Sequence, residues 1–354
     1  MSGIEKHKLE LIETAKKMVE KGKGILAADE SVGTEGKRFE TINVSNTEEN
    51  REQFRELIFT TEGIENYLSG IILFHETIFE STKSGVRLTK ILNDKKILYG
   101  IKLDLGVVDI QNTDGETFTQ GLDDLSKRCV KYYNEGCRFA KWRAVFKISK
   151  TTPSDRCIEA NAEALARYAI ICQENGLVPM VEPEILEDGS HDINECAKVT
   201  EKVINMVMNK LFKNGVLFEG MILKPNMVTP GIDCPNKSSH KEIAWKTIRT
   251  LMRSVPPSCA GVAFLSGGQS EEDATMNLNE MNVLINNELK GKVPYNLTFS
   301  YGRALQTSCL HSWMGKNENK EIAQKKFLEI AKNNSLATKG EFEKRDNSEL
   351  KLEY

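Results

Sequence analysis

The feature that most constrains this chain is a series of short apolar, β-branched runs, most of them separated by stretches with helical periodicity. Such alternation gives a parallel sheet, because a parallel crossover needs a connection long enough to hold a helix. The runs are Gly24 to Asp29, Gly70 to His75, Leu98 to Asp104, Phe139 to Ile148, Leu177 to Glu182, Gly220 to Lys224, Ala260 to Leu265 and Leu297 to Tyr301. Between them, Glu159 to Glu174, Cys196 to Lys213, Lys241 to Arg253 and Glu271 to Leu289 show apolar residues three or four apart, as helices do. A further helical pattern, with Leu11, Ala15 and Met18, precedes the first run. The connection between the second and third runs carries the weakest pattern.

Nearly every run is apolar through its body and turns charged or hydroxylic toward its C-terminal end, at Asp29, Lys102, Asp104, Glu182, Lys224 and Ser266. In a closed barrel all such ends converge on one mouth, whereas in an open doubly wound sheet only those beside the switch point do. The pattern favours closure into an α/β fold, the (β/α)8 barrel, and 354 residues suffice for one such domain with decorated loops. No G-x-G-x-x-G follows the first run, which removes the main argument for a dinucleotide fold. Lys141 and Arg143 lie inside their run and by alternation would point into the barrel or out from it.

Composition excludes several functions. No window approaches eighteen uninterrupted apolar residues, so no membrane span is expected. The first 24 residues lack the apolar stretch of a signal peptide and the acid shortage of a transit peptide, which makes the cytoplasm the expected location. A net charge of -3 gives no broad field for nucleic acid or anionic lipid, so an anionic ligand must be held by local groups. Eight cysteines stand singly and read as reduced, buried thiols. The five histidines lie far apart without metal-ligand spacing, and neither a metal nor another cofactor is expected.

Chemistry is suggested by Lys102, Lys141 and Lys224, which sit in or at the end of apolar strands, where an ammonium is costly unless paired or put to use. Each alone is open to a bland reading, a long stem covering apolar surface. Gathered with acids at one mouth, they offer the buried amine that imine chemistry requires. Lys224 has the most apolar frame, after Met221, Ile222 and Leu223 and before Pro225, and Lys141 comes second.

At this point a family resemblance enters. FEGMILKPN at Phe218 to Asn226 closely resembles the Schiff-base lysine signature of class I fructose-1,6-bisphosphate aldolases. GILAADES at Gly24 to Ser31, GIKLD at Gly100 to Asp104, AKWR at Ala140 to Arg143, VPMVEPEIL at Val178 to Leu186, FLSGGQS at Phe264 to Ser270 and LTFSYGRALQ at Leu297 to Gln306 also resemble that family, in its order. The resemblance implies a TIM barrel and reversible cleavage of fructose 1,6-bisphosphate to dihydroxyacetone phosphate and glyceraldehyde 3-phosphate, in glycolysis and gluconeogenesis. By similarity Lys224 attacks the C2 ketone, Glu182 is the general acid and base around imine formation, Asp29 orients or deprotonates the C4 hydroxyl, and Lys141 stabilises the carbinolamine. Glu184 supports them.

The resemblance also implies two phosphate sets: Ser266, Gly267, Gly268, Ser300, Gly302 and Arg303 for the phosphate on C1, and Ser31, Thr34 and Lys102 for that on C6. Lys37, Arg38 and Arg143 are expected as rim cations. Residues 1–332 would form the barrel domain, and Asn333 to Tyr354, rich in Lys, Glu and Asn, a mobile tail whose terminal tyrosine matches the family's last residue and assists proton transfer at C3. Departures from the family pattern fall at Val32, Thr34, Leu105 and Asp109. A homotetramer, and a side role in binding actin or acidic cytoplasmic tails, are expected by resemblance alone. Rivals are another Schiff-base barrel lyase or transferase, disfavoured by two phosphate sets, a metal-dependent aldolase, which needs clustered histidines, and a binding scaffold, disfavoured by the intact Lys224, Glu182, Asp29 and Lys141.

Overall fold

The computed structural model describes residues 3–343. In chain order its strands are β1 (Gly24–Ala28), β2 (Leu68–Leu73), β3 (Leu98–Lys102), β4 (Val107–Asp109), β5 (Thr117–Thr119), β6 (Phe139–Phe146), β7 (Val178–Ile185), β8 (Ile222–Leu223), β9 (Gly261–Phe264) and β10 (Asn296–Tyr301). Eight of them close a barrel in the order β1-β10-β9-β8-β7-β6-β3-β2, every neighbouring pair parallel. The expected (β/α)8 barrel is therefore the fold.

The helices are α1 (Gly3–Met18), α2 (Val32–Glu40), α3 (Glu48–Phe59), α4 (His75–Phe79), α5 (Leu88–Asp94), α6 (Leu125–Asn134), α7 (Asp155–Glu174), α8 (Ile193–Lys213), α9 (His240–Ser254), α10 (Glu271–Asn287), α11 (Arg303–Trp313) and α12 (Lys320–Ala337). Six of these begin on a side-chain cap: Ser31, Thr47, Ser154, Asp192, Ser239 and Ser270 each accept from a backbone N–H of the first turn. These caps explain why α7 and α8 start earlier than apolar spacing alone suggests. Two short helices, α4 and α5, fill the weakly patterned connection from β2 to β3. The hairpin β4–β5 was not anticipated, since its three-residue strands pair with each other outside the barrel. Among the described residues no helix is long and apolar enough to cross a membrane, and all eight cysteines are free and buried.

Strand alternation sorts the barrel into layers. Phe139 of β6, Val178 and Met180 of β7, Ile25 and Ala27 of β1, Ile72, Ile222 and Ala263 form one buried apolar cluster inside the barrel. A Cβ on Gly100 would lie 2.4 Å from the Phe139 ring, so glycine there leaves the space that the ring fills. The same cluster includes Leu11, Ala15 and Met18 of α1 and the following Val19. Their position is fixed by two close approaches at the N-terminal strand ends: a Cβ on Gly261 would meet Val19 at 2.7 Å, and one on Gly220 would meet Leu11 at 3.1 Å. Helix α1 thus closes the barrel floor, and full burial of each large apolar side chain stabilises the fold by about 1.5–3 kcal/mol.

One expected boundary moves. The domain does not end at 332, because α12 continues to Ala337 with Asn334, Ser335 and Ala337 buried. Phe342 then donates its backbone N–H to Asn279 Oδ1 at 2.9 Å. Residues 333–343 belong to the packed structure, held by side chains that a Lys- and Asn-rich composition does not advertise. Tyr354 lies outside the described residues.

Candidate active site

Two residues farther along each strand from that apolar layer, the inward positions become ionisable. On β6, Phe139 is followed by Lys141 and Arg143; on β7, Met180 is followed by Glu182 and Glu184; beyond β1 comes Asp29, and beyond β8 comes Lys224. Asp29, Lys141, Glu182 and Lys224 are all buried, with exposures of 8%, 5%, 3% and 3%. Four charges at such depth persist only if paired. Lys141 Nζ lies 2.6 Å from Asp29 Oδ2 and 3.4 Å from Glu182 Oε2, and Lys224 Nζ lies 3.2 Å from Glu182 Oε1. Glu182 therefore bridges the two amines. Its Oε2 makes no hydrogen bond among the described residues, because Lys141 is within ion-pair range without hydrogen-bond geometry.

The pairing sets the charge states. Burial alone would raise the Asp29 pKa, but Lys141 and Lys224 outweigh it and hold the carboxyl below its ordinary value. Burial alone would lower the Lys141 pKa, but Asp29, Glu182 and Asp104 reverse that and keep it above the usual lysine value. Neighbouring backbone holds the cluster in register. Lys224 N–H donates to Val181 O at 2.8 Å, and Asn226 Oδ1 accepts from Ile185 N–H at 2.9 Å, tying the ends of β7 and β8 together.

Above the cluster opens a cavity of about 1050 Å³. Asp29, Ser31, Thr34, Lys37, Arg38, Lys102, Lys141, Arg143, Glu182, Glu184, Lys224, Ser266, Gly267, Ser300, Gly302 and Arg303 all line it, whereas Gly268, the residue after Gly267, does not. The structure thus brings the expected site residues to one cavity except Gly268, which lies just outside its lining, and Tyr354, which lies outside the described residues. It also changes the picture of the rim. Lys37 is exposed, but Arg38 pairs with Glu30 and Arg143 pairs with Glu184, so neither guanidinium stands alone. Lys102 Nζ is likewise engaged, donating to Asp104 Oδ1 at 2.6 Å. Ser31 Oγ accepts from Thr34 N–H at 3.3 Å and lies 3.0 Å from Thr34 Oγ1, placing two hydroxyls at the start of α2.

Three residues to which the sequence assigns no role shape the site, although Asp104 is among its polar strand ends. Glu30 sits behind Asp29 on the opposite face, accepts from Arg55 at 2.8 Å and Gln306 at 3.1 Å besides Arg38, and so anchors α2, α3 and α11 to the end of β1. Asp104 joins Lys102 to the Arg143 backbone N–H at 3.3 Å. Glu187 accepts from Gly268 N–H at 3.0 Å. The first two had a signal, an acid beside an apolar run; Glu187, in a loop, had none.

A buried lysine–glutamate–lysine–aspartate chain at the mouth of a parallel barrel sets an amine beside a carboxylate, as imine formation needs. The family model for fructose-bisphosphate aldolase class-I matches residues 10–353. The chain belongs to the class I fructose-bisphosphate aldolase family. It is 57% identical to the cytosolic fructose-bisphosphate aldolase 4 of Arabidopsis thaliana over 331 residues, which are 94% of this chain and 83% of that one. It is 55% identical to the cytoplasmic isozyme of Spinacia oleracea, over 94% of this chain and 92% of that one. The co-crystal structure of the Plasmodium falciparum aldolase with TRAP and a small-molecule inhibitor superposes with a TM-score of 0.93 at 51% identity, covering 96% of this chain and 97% of that one. As a class I aldolase the chain is a metal-independent lyase of glycolysis, which reversibly cleaves fructose 1,6-bisphosphate to dihydroxyacetone phosphate and glyceraldehyde 3-phosphate through a lysine Schiff base.

Proposed function

We propose that Lys224 is the lysine that carries the Schiff base, with Glu182 as its proton partner. The observation that carries this is the 3.2 Å contact between Lys224 Nζ and Glu182 Oε1 on the buried floor of the cavity. Lys141, the other candidate, has its pKa raised between two carboxylates and stays an ammonium, which suits charge stabilisation and not nucleophilic attack. Lys224 adds to the C2 ketone, and Glu182 returns a proton to the carbinolamine oxygen, which leaves as water. The charged Lys141 stabilises oxygen in that step. The iminium then takes the electron pair of the C3–C4 bond as it breaks. Asp29, held ionised, accepts from the C4 hydroxyl whose proton is lost as the aldehyde forms. Glu184 holds Arg143 at the rim and supports Glu182 two residues below. Tyr354 assists protonation of the enamine at C3.

Ser266, Gly267, Gly268, Ser300, Gly302 and Arg303 hold the phosphate on C1, where Arg303 and a turn with Gly267 at φ +55 offer donors to an anion. Ser31, Thr34 and Lys102 hold the phosphate on C6. The cytosolic relatives support a cytoplasmic location. A homotetramer rests on family resemblance, and light scattering tests it. An acidic segment bound at the cationic mouth would be displaced by fructose 1,6-bisphosphate. The decisive variant is Lys224→Met: cleavage falls about ten-thousandfold or more while circular dichroism is unchanged. Turnover within a few fold of wild type would overturn the assignment.

A further inference from the structure

The turn proposed above for the C1 phosphate already donates a backbone N–H to a carboxyl of the protein's own. Glu187, in the loop after β7, reaches across to the turn after β9. Its Oε2 accepts from Gly268 N–H at 3.0 Å, and its carboxylate lies over both glycines: a Cβ on Gly267 would meet Oε1 at 2.5 Å and one on Gly268 would meet Oε2 at 2.8 Å. Arg303 completes the same corner by donating to Gly267 O. The loop carrying Glu187 is tied at its backbone, where Ile232 N–H donates to Glu187 O at 2.8 Å.

We propose that the Glu187 side chain is an internal competitor for the C1-phosphate turn, occupying the Gly268 N–H that substrate would use and giving way when phosphate enters. This rests on the reading of Gly267, Gly268 and Arg303 as the C1-phosphate site. A phosphate dianion and an ionised carboxylate repel one another on the same donors, so the incoming anion requires Glu187 to swing out or take up a proton. The charged groups facing Glu187 are Arg303 from α11, Glu184 from β7 and Asp188 beside it. Burial is the largest influence and, with Glu184 and Asp188, outweighs the Gly268 N–H and Arg303, so that the Glu187 pKa is pushed up to about 7. The competitor is therefore neutral in mild acid and ionised in mild base.

The test is the KM for fructose 1,6-bisphosphate at pH 6, 7 and 8 in wild type, Glu187→Gln and Glu187→Ala. The substrate's own phosphate titration is common to all three proteins and cancels in their ratio. With a pKa near 7, about nine-tenths of Glu187 is ionised at pH 8 and about one-tenth at pH 6, so the wild-type-to-variant KM ratio rises from near one to about tenfold. Glu187→Ala gives the same trend without a side chain able to bond the turn. A parallel Arg303→Ala variant separates the two levels of the argument. If Arg303→Ala raises KM but the Glu187 ratio stays flat with pH, the competitor is refuted and the phosphate site stands. If Arg303→Ala leaves KM unchanged, the phosphate site fails and the competitor with it.

Discussion

At one end of the barrel the inward side chains are Ile25, Phe139, Val178, Ile222 and Ala263, closed off by Leu11, Met18 and Val19. Roughly two to four residues farther along the same strands they are Asp29, Lys141, Glu182 and Lys224, paired at 2.6 to 3.4 Å. Both sets of side chains are buried, yet burial has opposite consequences. On the floor it is itself the stabilising term. At the mouth it is a cost met only by mutual pairing, and the pairing fixes which groups are charged. The difference teaches where each kind of substitution registers: floor changes register in stability, mouth changes in turnover.

The largest effect is expected at the mouth. Glu182→Gln removes the proton partner of Lys224, and kcat falls about 10²- to 10⁴-fold in steady-state cleavage assays. A loss below tenfold would mean that water or another acid carries the proton, and the division between the two ends would blur. On the floor, Leu11→Ala leaves a cavity under the barrel and lowers unfolding free energy in urea by about 2–5 kcal/mol. Below the transition its kcat stays within about twofold of wild type, since no reacting group is touched. A parallel collapse of kcat would show that the floor positions the mouth.

The wall behind β2 offers an intermediate case. Both carboxylate oxygens of Glu80 are buried without a hydrogen-bond partner among the described residues, and burial, reinforced by Glu76 and Glu52 against Arg55 and Arg51, pushes its pKa up to about 7. A carboxyl whose folded pKa is raised favours the fold while protonated and ceases to do so as pH rises through that value. Glu80→Gln should therefore gain stability over wild type between pH 5 and pH 8, by about 1–2 kcal/mol after allowing for the partly exposed setting. Paired thermal melts at the two pH values read it, and a pH-independent difference would count against it. Smallest is Lys37→Ala: the side chain is exposed, so the KM for fructose 1,6-bisphosphate rises about two- to threefold in low salt, an effect that added salt removes.

The same contrast explains what was readable in the sequence. The barrel was legible because apolar runs with polar C-terminal ends repeat along the chain, and Lys224, Glu182 and Asp29 were legible as ionisable groups inside such runs. Lys141 and Arg143 left their direction open, which the inward Phe139 two residues earlier now decides. The run from Gly220 to Lys224 yields only a two-residue strand, because Phe218–Gly220 turns as a 3-10 helix first. The pairing of Arg38 with Glu30, and of Lys102 with Asp104, was not readable, since each depends on which side of a strand end the acid emerges. Nor was the burial of Asn334 and Ser335, polar residues whose hydrogen bonds to Thr275 and Gly22 come from distant parts of the chain.

The claim on which the rest depends is that Lys224, and not another buried lysine, forms the covalent bond. Incubation with dihydroxyacetone phosphate, reduction with borohydride and peptide mass spectrometry test it directly. The account predicts one adduct, on Lys224; an adduct on Lys141 or Lys102, or none on folded protein with excess ligand, would contradict it.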